Sequence, residues 1–241
     1  MIEAIPIIHL DDEVVVVNKP AGLPVVPAGG MAPVACARAR IEASLGSRLW
    51  VVHRLDRDTS GVLVLARTAE VHRRLCVAFE CRQVRKTYLA FTHGSPSPRE
   101  GRISTPLHAA RRGKVRPARP GESGALLAAT GYVVRKRWAR NGDIVAMVEA
   151  HPETGRHHQI RAHLRSIGTP ILFDAVYGQR AADARLHGAP ARRLALHSSR
   201  LVLPDRLPPG SARTYDAPLE ADLVALLHWL DDGWTVLMAE K

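Results

Sequence analysis

The chain of 241 residues has few cysteines, few aromatic side chains and fewer acidic than basic residues. Its three cysteines, Cys36, Cys76 and Cys81, form no Cys-x-x-Cys pair. This argues against a disulfide framework and a four-thiolate zinc site and favours a reducing, cytoplasmic setting. The apolar runs fall far short of the roughly 20 residues of a bilayer-spanning helix, and the acidic start lacks the basic region of an export signal. We therefore expect a cytoplasmic protein that does not bind a membrane.

The excess of basic residues is the main compositional signal. Lys and Arg number 34 against 23 Asp and Glu, and the resulting net charge of +11 predicts a polyanionic partner. Apolar residues make up 46% of the chain, so a disordered basic tail is excluded. Because neither a repeat nor a compositional break divides the chain, we predict one domain over residues 1–241.

The hydrophobic pattern predicts more strands than helices. Thr68 is expected to cap a helix, and further helices should follow Gly155 and Pro218. Strands that are often adjacent in sequence favour an α+β fold with a mixed or antiparallel central sheet and flanking helices. The predicted strands are short β-branched runs at residues 14–17, 49–52, 62–66, 87–92, 131–134 and 144–150.

Residues 102–124 have little apolar content, and we predict a solvated loop there. Such a loop either keeps the surface soluble or contacts phosphates, and the net charge favours phosphate contact. Its basic residues are Arg111, Arg112, Lys114, Arg116 and Arg119.

Polar residues are concentrated between two apolar runs, in the segment HRLDRDTSG at residues 53–61. A carboxylate next to buried strands is costly to ionise without a cation, so we expect Asp56 or Asp58 to have an arginine partner. The alternative is an ordinary turn, because Asp, Thr, Ser and Gly are common turn residues.

The segment HPETGRHHQIRAHLRSIG should start a helix at Thr154 or Gly155. Its apolar face would carry Ile160, Leu164 and Ile167, and its basic face His157, Arg161 and Arg165. The histidine spacing and the lack of an HExxH motif argue against zinc. The basic face is either solvated or functional.

A tyrosine lies between basic residues in the third segment, RKTYLAFTHG. Strand alternation predicts Lys86, Tyr88 and Ala90 on one side. Tyr88 is either a platform on which a base stacks or half-buried packing.

In this order the three segments resemble the RluA-type family of RNA pseudouridine synthases. The resemblance covers about residues 8–230 and implies the catalytic fold of that family. Its motifs are HRLDxxTSG at residues 53–61, KxYxA at 86–90, TGRxHQ(I/L)RxH at 154–163, a first strand and turn at 11–27, and a late strand at 194–198.

The resemblance implies an isomerase that converts specific uridines of structured ribosomal or transfer RNA to pseudouridine. Asp56 would be the essential carboxylate, acting on the sugar or the base or removing a sugar proton. Arg161 would pair with Asp56 and keep it ionised, and Tyr88 would stack on the base. Arg54 would fill the gap that a flipped nucleotide leaves, and Leu196 would form a wall beneath the base.

We expect further RNA contacts from His53, Lys86, Arg156, Arg111 and Arg112. The reaction needs no metal or other cofactor, and we expect a monomer with no obligatory protein partner. Two alternatives stay open: a non-catalytic RNA-binding protein with the same fold, and an RNA hydrolase that uses Asp56 and the histidines.

The sequence departs from the family pattern at two places. The first strand begins early, so we expect no N-terminal accessory RNA-binding domain. Phe173 replaces the glycine of the family's GDxxYG turn. Because a phenylalanine does not easily adopt positive φ, we predict that this turn differs locally.

Overall fold

A computed structural model describes residues 4–27, 36–204 and 213–238. The chain divides into two compact units, each built from two stretches of sequence. Unit 1 comprises Met1–Lys86 and His197–Glu220, and unit 2 comprises Thr87–Leu196 and Ala221–Lys241. The prediction of one domain over residues 1–241 stays a prediction.

The described chain contains more strands than helices, and many strands are adjacent in sequence. The strands are β1 (Ile7–Leu10), β2 (Val14–Lys19), β3 (Trp50–Val51), β4 (Ser60–Ala66), β5 (Arg85–His93), β6 (Glu100–Ile103), β7 (Leu107–Ala109), β8 (Val115–Pro117), β9 (Thr130–Arg140), β10 (Asp143–Pro152), β11 (Leu196–Leu203), β12 (Arg213–Asp216) and β13 (Thr235–Val236). The helices are α1 (Ala37–Leu45), α2 (Ala69–Glu80), α3 (Gln159–Ser166), α4 (Arg180–Arg185) and α5 (Ala221–Gly233).

Unit 1 contains a mixed sheet in the order β1-β2-β4-β11. Strands β2 and β4 pair antiparallel, whereas β4 and β11 run parallel. Every residue of β4 is buried, and on one face of the strand Val62, Val64 and Ala66 share an apolar core with Val71, Leu75 and Ala78 of α2. Thr68 caps α2 by accepting the N–H of Val71 on its hydroxyl, at 3.1 Å, as predicted.

Unit 2 contains an antiparallel sheet in the order β5-β10-β9-β13. Trp138 on β9 is fully buried, and its indole N–H donates to Asp231 of α5 at 2.8 Å. At the start of β9, the Thr130 hydroxyl accepts a hydrogen bond from Gln159 of α3 at 3.0 Å and donates one to Nδ1 of His163 at 2.9 Å. The two ends of β9 therefore contact different helices.

The α+β prediction with a mixed sheet is confirmed, and so are the predicted strands, although β3 is shorter and β9 longer than expected. The helices predicted after Thr68 and Pro218 are α2 and α5. Within the described ranges, the helices are too short or too polar to cross a bilayer.

The prediction of a solvated loop over residues 102–124 is wrong. Strands β7 and β8 form an antiparallel hairpin there, with a 3₁₀ turn, Arg111–Gly113, at its tip. Leu107 is buried and forms a small core with Ala128 and Ala162, against which Val115 packs. Burial of these few apolar side chains orders a segment that its composition describes as a loop.

The helix expected from Thr154 or Gly155 begins at Gln159 instead. His158, its N-cap residue, has a left-handed backbone with φ of +51°, which ends the preceding turn. The predicted faces also need correction: Ile160 and Leu164 are buried, whereas Ile167 lies beyond the helix and is exposed. Arg161, placed by the helical pattern on the basic face, is only 7% exposed.

Candidate active site

Asp56 lies in a tight turn between β3 and β4. Its carbonyl oxygen accepts the N–H of Thr59 at 3.2 Å, which closes a four-residue turn. Thr59 is buried, whereas Arg57 and Asp58 are exposed. The backbone of this segment therefore forms a turn, as the alternative interpretation predicted. The partly exposed Asp56 side chain lies in this turn, directly before a buried strand.

Lys19, the fully buried last residue of β2, bonds to the backbone of this turn. Its ammonium group donates to the carbonyl oxygens of Pro20 at 2.7 Å, Leu23 at 2.8 Å and Arg57 at 3.1 Å. A buried ammonium is costly unless its donors are satisfied, so these bonds fix the turn against β2. Sequence reasoning assigned no role to Lys19.

The next residues bring β4 close to β11. A Cβ atom on Gly61 would collide with the carbonyl oxygen of Ser198, so this position requires glycine. The ring of His197 donates from Nε2 to the carbonyl of Ala217 at 3.2 Å and accepts from the Ser60 hydroxyl on Nδ1 at 2.9 Å. The TSG part of the motif thus serves strand packing.

His53, the first residue of the motif, bonds to the backbone of β4. Its Nε2 accepts the N–H of Val64 at 3.0 Å, and its ring stacks on Phe79 of α2 with centroids 4.9 Å apart. Burial, with a smaller contribution from the charge of Lys86, lowers the pKa of His53 to about 3. The ring is therefore neutral at physiological pH.

Arg161 of α3 forms a bidentate ion pair with Asp174. Both N···O distances, from Nε and Nη2, are 2.8 Å, and the Asp174 side chain is completely buried. Burial raises the pKa of Asp174, but the bonds and charge of Arg161 and the N–H groups of Val176 and Tyr177 lower it more. Asp174 therefore stays ionised and fixes the orientation of the guanidinium.

The turn that contains Asp174 contradicts our prediction for Phe173. We expected the turn to change locally, yet Phe173 adopts the left-handed conformation itself, with φ of +56°. Its N–H donates to Asp183 at 2.9 Å, and the Asp174 carboxylate accepts the N–H groups of Val176 and Tyr177 at 2.8 and 3.0 Å. These bonds offset a backbone strain of about 1–3 kcal/mol.

Tyr177 connects Arg161 to the basic hairpin. The Arg161 guanidinium carbon lies 5.2 Å from the centroid of the Tyr177 ring, within cation–π range. The Tyr177 hydroxyl accepts the N–H of Val115 in β8 at 2.9 Å and lies 3.1 Å from His158 Nδ1. One side chain therefore joins the site arginine, the helix start and the hairpin.

Buried polar groups join α3 to the start of β9. The Gln159 side chain donates to the carbonyl of Ala129 at 2.8 Å and to the hydroxyl of Thr130 at 3.0 Å. His163 uses both ring nitrogens, one with Thr130 at 2.9 Å and one with the carbonyl of Thr105 at 3.0 Å. These contacts give His163 a structural function.

Tyr88 lies on β5 and Leu196 is the first residue of β11, and both side chains are buried. Tyr88 is 9% exposed on β5 and lies opposite Ala150 of β10. Leu196 is 3% exposed, and the preceding residue, Ala195, accepts the N–H of Phe91 on β5 at 3.0 Å. The strand prediction for Tyr88 is confirmed, and its burial shows that packing accounts for most of its surface.

The remaining predicted RNA-contact residues lie closer to solvent. Arg54 and Arg111 are exposed, Lys86 and Arg156 are partly exposed, and Arg156 donates to the carbonyl of Leu127 at 3.1 Å. Desolvation lowers the pKa of Lys86. Arg112 belongs to the hairpin turn, and its side chain is outside the described structure.

One basic residue of the hairpin is neutralised by an acid. The Arg116 guanidinium forms two hydrogen bonds to the carboxylate of Glu122. These bonds lower the pKa of Glu122 to about 2, so the pair persists at neutral pH. The basic charge that the described hairpin presents to solvent comes from its tip, at Arg111 and Lys114.

Sequence reasoning missed the residues that position the site rather than those in its motifs. Asp174 and Tyr177 were visible in the segment FDAVYG, but that segment was interpreted through Phe173 alone. Lys19 was visible as a lone lysine after a run of four valines, which is a signal for a buried cation.

Comparison with known proteins identifies the family. A family model described as RNA pseudouridylate synthase matches residues 13–166, more than half of the chain. The chain belongs to this family of isomerases, and its similarity to proteins named RluA confirms the RluA-type assignment.

Individual relatives and one solved structure agree with this assignment. The dual-specificity RNA pseudouridine synthase RluA of Escherichia coli is 36% identical over 89% of this chain and 93% of its own length. Ribosomal large subunit pseudouridine synthase D of Nitrosomonas europaea is 34% identical over 94% of this chain, which spans 66% of that relative. An uncharacterized RNA pseudouridine synthase of Chloroflexus aurantiacus is 38% identical, and this chain likewise spans 66% of its length.

The fold also agrees with that of a solved structure from this family. The structure of human RNA pseudouridylate synthase domain containing 4 superposes with a TM-score of 0.73 at 29% identity, covering 98% of this chain and 95% of the human chain.

We predict that Asp174→Asn lowers the free energy of unfolding by about 3–5 kcal/mol, because it removes the buried carboxylate charge that accepts two hydrogen bonds from Arg161. The matched control is Asp216→Asn, which breaks the exposed pair with Arg200 and should cost less than about 1 kcal/mol. Urea unfolding followed by circular dichroism measures both. Equal decreases in the two variants would contradict the assignment.

A second prediction concerns His53 and pH. Because its folded pKa of about 3 lies below the unfolded value of 6.5, the unfolded state alone binds a proton between these values. Stability should therefore fall as pH drops, and from pH 7 to pH 5 His53 should account for about 2 kcal/mol of the decrease. In His53→Gln the decrease should be smaller by that amount. His163 acts in the same direction in both proteins, so the comparison isolates His53. Identical decreases would refute the prediction.

Proposed function

We propose that this protein isomerises specific uridines in structured RNA, ribosomal or transfer, to pseudouridine, with Asp56 as the essential carboxylate. The observation that carries the proposal is the order of HRLD, KTYLA and TGRHHQIRAH inside the span matched by the family model, residues 13–166. The net charge of +11 suits a polyanionic substrate.

The proposed reaction rearranges bonds without oxidation. The bond from C1′ of the ribose to N1 of the base breaks, the base turns, and C1′ bonds to C5. C5 loses its proton and N1 gains one, so substrate and product have the same composition. A uridine stacked in RNA must first be flipped out, at a cost of a few kcal/mol.

The turn geometry supports a catalytic Asp56. Three carbonyl contacts of the buried Lys19, one of them to Arg57, fix the backbone beside it. We propose that the side chain acts on the sugar or the base or removes a sugar proton. All three roles need the ionised form at neutral pH.

The orientation of Arg161 supports a role in keeping Asp56 ionised. A guanidinium has five N–H donors, and two of those on Arg161 bond to Asp174. We propose that a further donor of Arg161 serves Asp56.

The positions of Tyr88 and Leu196 suit contact with a flipped base. Both side chains lie on strands and are largely buried, so each would present a fixed surface to a base. We propose that Tyr88 stacks on the base and that Leu196 forms the wall beneath it.

Exposed basic residues would hold the surrounding RNA. We propose that Arg54 fills the gap left by the flipped nucleotide, while Lys86, Arg156 and the hairpin tip with Arg111 and Arg112 contact phosphates. For His53 the contacts support a different role: it positions the motif against β4 rather than touching RNA.

We further propose that the protein acts as a monomer in the cytoplasm with no obligatory protein partner. The three cysteines are free thiols, which supports a reducing compartment. Sedimentation of the protein alone and with RNA would measure the oligomeric state.

Asp56→Asn should abolish pseudouridine formation while RNA affinity stays within about twofold, because the amide cannot act as an anion. Asp58→Asn, the exposed acid two residues along the same turn, is the matched control and should retain activity. Mass spectrometry of nucleosides from treated ribosomal and transfer RNA measures the product. Turnover by Asp56→Asn near the wild-type rate would refute the assignment. Shortened RNA after treatment with the wild-type protein would indicate a hydrolase. RNA binding by the wild-type protein without pseudouridine formation would indicate a non-catalytic RNA-binding protein.

The hairpin gives a separate prediction. Replacing Arg111, Arg112 and Lys114 with Gln should flatten the dependence of log affinity on log salt by roughly one unit for each phosphate that the tip no longer neutralises. Arg116→Gln is the control, because the Arg116 charge is paired with Glu122, and its slope should match that of the wild type. An unchanged slope in the triple variant would restrict the hairpin tip to a solubilising role.

A further inference from the structure

A pocket of about 180 Å³ in unit 2 is lined by four cations and no acidic residue. Arg99, Arg135, Lys136 and Arg137 supply the charges, and residues 236–238 close one side. We call this the basic pocket. Three of its cations are consecutive on β9.

Two of these cations already have carboxylate partners. Arg135 pairs with Glu149 at 2.7 Å, and Glu100 also acts on it. Lys136 pairs with Asp231 at 2.5 Å. Their charge is balanced within the protein.

Arg99 and Arg137 bond only to main-chain carbonyl groups. Arg99 donates from Nε to Val134 at 2.9 Å and from Nη2 to Arg135 at 3.4 Å. Arg137 donates from Nη2 to Met238 at 3.2 Å. Among the residues that the structure describes, neither guanidinium has an acid partner.

The same bonds hold these two guanidinium groups in place. A neutral carbonyl orients a guanidinium without cancelling its charge, and each group has further N–H donors. Planar forks of this kind match the oxygens of a phosphate group. The two guanidinium groups therefore have defined orientations and donors left over for an anion.

The location of the basic pocket on β9 relates it to the candidate active site. Thr130 begins this strand beside α3, which carries Arg161. Arg135 and Arg137 lie five to seven residues further along, which at about 3.3 Å per residue is roughly 17–23 Å. This distance spans several base pairs along an A-form RNA duplex.

We propose that the basic pocket binds a backbone phosphate of the duplex that flanks the target uridine. This inference rests on the proposed function for the identity of the polyanion, and it adds a second RNA contact remote from the chemistry. Arg99 and Arg137 make the contact.

The test compares Arg99→Gln/Arg137→Gln with a control of equal charge change, Arg185→Gln/Arg200→Gln. The control arginines pair with Asp143 and Asp216 at the surface. The probes are two RNA hairpins with the same uridine-containing loop and stems of five or fifteen base pairs. Affinity is measured between about 50 and 300 mM KCl, because the affinity of proteins that contact phosphates falls steeply with salt over roughly this range.

For the long stem, the slope of log affinity against log salt should fall by about two units in the pocket variant and by clearly less in the control. For the short stem, the pocket variant should match the control. Equal slopes for the two variants on the long stem, or an equal decrease on both stems, would overturn the proposal. Thermal unfolding of both variants shows whether they fold.

Nucleoside analysis of wild-type reactions with cellular RNA separates this inference from the proposed function. Pseudouridine formation with equal slopes in the two variants would reject the basic pocket alone. A slope change without pseudouridine formation would reject the proposed function and retain the pocket as an RNA contact.

Discussion

The buried ion pair between Arg161 and Asp174 is the constraint on which the candidate site depends. Two charges removed from water are stable only with complete hydrogen bonding, and the Asp174 carboxylate obtains it from the guanidinium and two backbone N–H groups. The pair therefore dictates the local backbone. It stabilises the turn that contains Phe173 and orients Arg161. The Arg161 guanidinium then packs on the Tyr177 ring.

The same constraint reaches the hairpin through Tyr177. A hydroxyl bonded to a backbone N–H of β8 cannot move without moving the ring that contacts Arg161. Tyr177 therefore holds the hairpin strand β8 and Arg161 in a fixed relation through atoms that are already packed. A displacement of the hairpin would therefore also displace the ring that contacts Arg161.

The sequence predicted the motifs and their elements because these depend on local patterns. Alternation identified β5 with Tyr88, and a capping threonine identified α2. The errors arose where distant residues decide the local conformation. The hairpin at residues 102–124 is ordered by Ala128 and Ala162, and the left-handed Phe173 is stabilised by Asp183. The function of Lys19 depends on the carbonyl of Arg57, which is 38 positions away.

The parallel pairing of β4 with β11 has a consequence for synthesis of the protein. Ser60 and His197, which bond across that pair, are separated by 137 positions. At a translation rate of about 5–20 residues per second, the motif that contains Asp56 would emerge from the ribosome roughly 7–30 s before its neighbouring strand. During that interval β4 has an open edge beside its apolar residues 62–66. An exposed edge of this kind favours aggregation of the growing chain until β11 has been made.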